Sequence, residues 1–111
     1  TDGTAWATGN NNNGRLGDGT TQQRLIPVKV LTGVSSAAAG SGHTVFLKTD
    51  ATAWASGWNK QGQLGDGTNV NRHSPVKVRT HVGSVAAGTR HTTFLSAKEG
   101  TGIVNVAFLR P

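Results

Sequence analysis

The feature that most constrains this 111-residue chain is an internal repeat of 48 residues. Trp6 and Trp54, Leu16 and Leu64, Pro27 and Pro75, His43 and His91, and Phe46 and Phe94 are all separated by that period. Residues 1–48 align on 49–96 without a gap, and 29 of the 48 positions are identical. The chain therefore reads as one repeat domain: repeat one at 1–48, repeat two at 49–96 and a divergent remainder at 97–111. A third copy fails at once, because Gly102 stands where Trp6 and Trp54 predict a tryptophan. The closeness of the two copies points to a recent duplication, as in simple bacterial repeat proteins.

A period of this length suits a propeller blade or a two-helix solenoid unit. The local pattern selects the blade. Gly is 16 of 111 residues and punctuates every window, which disfavours helix. No stretch repeats apolar residues at helical spacing. Short runs with strand character recur instead: Thr52–Ser56, Pro75–Val78, Val82–Ala87 and His91–Leu95. The fold class is all-β, with four antiparallel strands per blade and about two blades per chain. Gly17-Asp18-Gly19 and Gly65-Asp66-Gly67 read as turns, since glycine accepts positive φ and Asp bonds its own backbone. Pro27 and Pro75 are expected to open strands, where a missing N–H matters least.

The motif Gly57-Trp58-Asn59-Lys60-Gln61-Gly62-Gln63-Leu64-Gly65-Asp66-Gly67-Thr68, followed by Pro75-Val76-Lys77-Val78, Val85-Ala86-Ala87-Gly88 and His91-Thr92, resembles the RCC1 (regulator of chromosome condensation) repeat. The first copy carries it as Gly9-x-Asn11-x-x-Gly14-x-Leu16-Gly17-Asp18-Gly19-Thr20, then Pro27-Val28-Lys29-Val30, Ala38-Ala39-Gly40 and His43-Thr44. The resemblance implies a β-propeller, in that family usually of seven blades, and a protein-binding role. Its members include a nucleotide-exchange factor for a small GTPase and a secreted inhibitor of β-lactamases. Nothing particular in this sequence points to nucleotide exchange.

Two blades cannot close a ring, and stacked repeats generally need at least three units. A buried Trp removes about 150–250 Å² from water, worth about 4–6 kcal/mol at ~25 cal/mol/Å². Such surface is expected to be covered, either by the remainder of a longer propeller or by further copies of the chain. At two blades per chain a trimer gives six and a tetramer eight; seven is unreachable with identical pairs. Ile103–Leu109 reads as an additional strand that completes a blade across chains, so that deleting 102–111 lowers the oligomer state.

Chemistry is expected to be absent. His43 and His91 occupy one repeat position, and a residue copied in each repeat is scaffold rather than a general base. His73 and His81 are unmatched and read as loop residues. Asp18 and Asp66 lie in turns, Asp2 and Asp50 precede the Trp strand, and Glu99 is the remaining carboxylate. No thiolate, HxH, HExxH or calcium-loop spacing supplies a metal site, and no cofactor is implied. No window approaches ~18 consecutive apolar residues, so no membrane-spanning helix is expected. No basic-then-apolar leader opens the chain. The lack of Cys and the abundance of Thr, Asn and Gly are compatible with secretion without requiring it.

The net charge of +6 draws attention to the repeated Arg-x-x-Pro-Val-Lys segments. Arg24, Lys29, Arg72 and Lys77 form a basic stripe, read either as a polyanion-binding surface or as a solvated edge that deters strand pairing. Positions that differ between copies are the better guide to binding, since scaffold demands identity and loops do not. Asn10, Asn12 and Asn13 stand against Trp58, Lys60 and Gln61, and Gly42 against Arg90. Trp58 is the expected interface anchor, unless its ring packs over its own blade. The expected partner is a protein of unassigned identity or further copies of the chain, with nucleic acid disfavoured and no membrane.

Overall fold

The computed structural model describes residues 3–96, together with the strand backbone at 97 and 104–108. Asp2, Glu99 and positions 103 and 109 of the expected terminal strand lie outside the described residues. The strands are β1 (Gly3–Gly9), β2 (Arg24–Ala39), β3 (His43–Lys48), β4 (Ala53–Gly57), β5 (Arg72–Arg79), β6 (Val82–Ala87), β7 (Thr92–Ala97) and β8 (Val104–Phe108). One sheet has the order β1-β2-β3-β4-β5 and a second the order β6-β7-β8, all antiparallel.

The five-stranded sheet is a complete blade joined to half of its predecessor. The joint is β2. Its first part pairs with β1, and from Val34 onward it pairs with β3. Gly33, at φ +70°, lets the strand turn this corner without ending. At the same repeat position His81 has φ +58°, and there the chain breaks into separate strands β5 and β6. The complete blade is thus 34–79. Before it stand the outer two strands of one blade, and after it β6 and β7, the inner two of the next.

One strand expectation is corrected. Pro27 and Pro75 do not open strands; β2 begins at Arg24 and β5 at Arg72. Each proline sits where the register slips, between Ala7 and Gly9 on one partner strand and between Ala55 and Gly57 on the other. A bulge leaves a residue unpaired, so the missing N–H costs no ladder bond. The expected additional strand is present in part, as β8. It pairs with β7 of its own chain, in the place that β4 takes beside β3.

The core lies between blades. Val45 and Leu47 of β3 and Ala53 and Ala55 of β4 form one apolar face, closed by Leu64, Val82 and Phe94. Strand alternation puts Val45 and Leu47 on this face, yet Phe46 is buried as well. An inner strand has a neighbouring blade on each side, so its run Val45-Phe46-Leu47 is apolar without alternation. Alanines at 53 and 55 keep the blades close.

Candidate interaction surface

Both long loops, 10–23 after β1 and 58–71 after β4, are organised by one buried asparagine each. In the second copy, Asn59 Oδ1 accepts from the Leu64 amide at 3.0 Å. Its Nδ2 lies 3.0 Å from Asp66 Oδ1, 3.2 Å from the Thr68 carbonyl and 2.9 Å from the Val70 carbonyl. Asn11 repeats this with Leu16, Asp18, Thr20 and Gln22. The loop is thereby folded around one amide, which drives Leu64 or Leu16 into the core.

A second lock is ionic. Arg72 Nε donates to Asp66 Oδ2 at 2.8 Å, and Arg24 to Asp18 at 2.6 Å. Burial opposes ionisation of Asp66, but bonds from Arg72, Thr68 and Asn59 outweigh it and bring its pKa to about 2. Asp18 is held lower still, with bonds from Thr20, Arg24 and Asn11 overcoming its desolvation. Half of the expected basic stripe, Arg24 and Arg72, is therefore engaged by the repeat's own carboxylates. Lys29 and Lys77 are exposed on β2 and β5, in register with Trp6 and Trp54. Lys77 also lines a cleft of about 580 Å³ with Arg79, Thr80 and His81. Trp54 itself is capped by Lys48, whose Nζ lies 4.8 Å from the ring centre.

The repeated histidine joins blades. His43 Nε2 is 3.2 Å from the His91 carbonyl and 3.1 Å from Thr92 Oγ1. The carbonyl only accepts, and the Thr92 hydroxyl gives its hydrogen to the Gln63 carbonyl at 2.6 Å. His43 Nε2 must therefore carry the proton, leaving Nδ1 buried and unpartnered. Burial holds the His43 pKa below the ordinary imidazole value, which suits this neutral tautomer.

The antiparallel order puts the 10–23 loop, the 40–42 turn, the 58–71 loop and the 88–91 turn at one end of the strands. This brings most of the expected partner-binding residues to one face. Arg15 donates to the Ser41 carbonyl at 2.9 Å, and the Trp58 amide to the Gly42 carbonyl at 2.9 Å. Thr92 ties the 88–91 turn to the 58–71 loop through Gln63. Asn12, Lys60, Gln61 and Arg90 are exposed there. Asn10, also exposed, accepts from the Asn12 amide, and Asn13 adopts φ +65°. Trp58 is half-buried against Gly42, so its ring packs on its own blade as well as facing out.

The family is decided by the match to the chain. The model for the regulator of chromosome condensation (RCC1) repeat matches residues 2–47 and 50–95, and a second RCC1 repeat model matches 34–63. The chain belongs to the RCC1 repeat family. Human WBSCR16 is similar in structure, with a TM-score of 0.74 and 22% identity, over 95% of this chain and 33% of that one. Yeast RCC1 (Prp20), in a crystal structure bound to Kap60, has a TM-score of 0.68 and 19% identity, over 84% of this chain and 25% of that one. Prp20p from Saccharomyces cerevisiae, whose crystal structure was determined together with its binding properties to Gsp1p and histones, gives 0.67 and 20%, over 84% and 26%. No curated protein sequence matches. The chain spans a third or less of these RCC1-like propellers, and the likeness shows the fold.

Sequence reasoning missed three features of these RCC1 repeats. The asparagine locks were legible as identical residues inside otherwise variable loops. The exposed apolar residues Trp6, Leu25 and Ile26 were not, because repeat position says nothing about which blade edge is open. The Lys77–Arg79–His81 cleft owes its basic lining to repeat two alone, since Leu31 and Gly33 stand in repeat one where Arg79 and His81 stand in repeat two.

Proposed function

We propose that this chain is a non-enzymatic protein-interaction module that meets its partner with the loop face. The observation that carries this reading is the segregation of variation. Asn11, Asn59, Asp18, Asp66, Arg24 and Arg72 are identical between copies and build the loops. Asn12, Lys60, Gln61 and Arg90 differ and stand exposed on them. A rigid frame with variable tips lowers the ordering cost of binding. Blocking an enzyme's active site is one form such binding can take.

The test is capture of proteins from a source extract by the immobilised chain. A triple variant, Lys60→Ala with Gln61→Ala and Arg90→Ala, is compared with Asp50→Ala on the opposite face. The reading requires a captured species that survives Asp50→Ala and is lost with the triple variant. Equal capture by both variants would remove the loop face from consideration.

The cleft beside Lys77, Arg79 and His81, with a net charge of +6, favours a second reading, polyanion binding. Affinity for a short DNA duplex should then fall linearly with log salt, with a slope of about −0.9 per phosphate contacted. A salt-independent signal would remove it.

A further inference from the structure

We infer that this chain joins head to tail with further copies of itself, β1 of one copy completing the blade begun by β6 and β7 of another. Four observations, each comparing an internal blade contact with its open counterpart, lead to this arrangement.

The first is strand pairing. β3 and β4 pair without irregularity over five positions, including Val45↔Ala55 and Phe46↔Trp54. One period away these pairs become Thr93↔Ala7 and Phe94↔Trp6. β1 repeats β4 almost residue for residue, Thr-Ala-Trp-Ala-Thr-Gly against Thr-Ala-Trp-Ala-Ser-Gly. Within one chain, however, β1 is an open sheet edge with Trp6 60% exposed. The occupant of its place beside β7 is β8, which pairs only with Phe94 to Ala97 and slips in register between Phe94 and Leu95. β8 fits that place less well than a copy of β4 would.

The second is loop docking. A Cβ built on Gly14 would lie 2.5 Å from His73 Cα, and the Gly19 amide donates to the His73 carbonyl at 2.8 Å. The first loop is thus seated on the outer strand of the blade that follows. In the second loop the equivalent Gly62 and Gly67 have open space around them.

The third is the surface that such a loop would cover. Leu25 and Ile26 stand at the positions of His73 and Ser74, and are 85% and 73% exposed. Brought against Gly62 and Gly67 of another copy, they would take up the contacts that His73 and Ser74 make with Gly14 and Gly19. Exposed neighbouring apolar residues on a soluble surface mark contact sites.

The fourth is the histidine bridge. His43 reaches the next blade through the His91 carbonyl and Thr92. The ring of His91 makes no such bridge among the described residues. The next inner strand would be β3 of another copy, presenting the His43 carbonyl and Thr44.

All four contacts are satisfied by one displacement along the repeat, and each joined copy adds two blades. This is a heterologous interface, which closes into a ring when the rotations sum to a full turn. β8 competes with β1 of the incoming copy, so it acts as a placeholder on β7. Deleting 102–111 should therefore promote association, the reverse of the expectation drawn from sequence.

The chain has no cysteine, which permits a direct test. Two full-length single variants, Ala7→Cys and Thr93→Cys, are mixed and oxidised. Directly opposed residues on antiparallel strands have Cα atoms about 4.5–5.5 Å apart, within disulfide range. The inference requires a mixed disulfide of twice 11.5 kDa, in excess of the homodimers that either variant forms alone. Gly62→Asn, placed in the Thr93→Cys chain, keeps a residue tolerant of positive φ but fills the space meant for Leu25. It should abolish the mixed species while leaving circular dichroism unchanged. A mixed yield no greater than the homodimer yield, or one indifferent to Gly62→Asn, would overturn the inference. The outcome is independent of the loop-face reading, since no partner protein is present.

Discussion

Replacing Asn59 by alanine is the sharpest test of how the loop face is built. Asn59 is fully buried and makes the only side-chain bond to the buried Leu64 amide recorded among the described residues. Its removal leaves that amide without a partner, a cost of about 1–3 kcal/mol. Nδ2 has two hydrogens, so at most two of its four close acceptors are fully bonded, each worth about 1 kcal/mol. Thr68 and Val70 are exposed, so water can recover part of that loss. The expected destabilisation is about 2–4 kcal/mol, a large share of a typical domain's 5–15 kcal/mol. Urea unfolding followed by tryptophan fluorescence measures it directly. Asn59→Asp keeps an acceptor for Leu64 but points a carboxylate at Asp66, and should be at least as damaging. A loss below about 1 kcal/mol for Asn59→Ala, or wild-type stability for Asn59→Asp, would refute the keystone role.

Further outcomes follow from the same geometry. Leu64→Ala removes a fully buried side chain from the interblade core and should cost about 2–5 kcal/mol in the same urea assay. His81→Gly should stabilise by about 0.5–1 kcal/mol, because φ +58° is unfavourable for a side chain and repeat one already has Gly33 there; an unchanged urea midpoint would contradict this. Stability measured against pH should fall in two stages. His43 is held neutral by burial, so its contribution is complete above the ordinary imidazole pKa near 6.5 and is lost as pH falls below it. Asp66 is held ionised down to about 2, so its contribution is complete above pH 4 and is lost between there and 2. Asp66→Asn should shrink the lower stage to the part that Asp18 contributes and leave the upper one in place.

How much of this was legible in the sequence depends on the distance over which each feature is decided. The all-β blade pattern and the Gly-Asp-Gly turns are fixed locally or by the repeat, and they stand where expected. Pro27 and Pro75 were misplaced by three residues because a bulge is set by the partner strand, not by proline's own neighbours. The orientation of Trp58 depends on Gly42, sixteen residues away, so its own loop left open whether the ring faces out or packs on its blade. Arg24 and Arg72 looked like a charged stripe because sequence shows charge without its partner. The Asp six residues earlier was counted only as a turn residue. Leu25 and Ile26 escaped notice because what covers them in the proposed assembly belongs to the next unit of the array.

The most direct test of the head-to-tail account is the absolute mass of the unmodified chain, measured by light scattering after size exclusion across a range of concentrations. The account predicts a defined species at an integer multiple of 11.5 kDa, three or four copies for a closed ring of six or eight blades, and a lower concentration threshold once 102–111 is removed. A folded species that stays at 11.5 kDa at every concentration, with and without that segment, would contradict it.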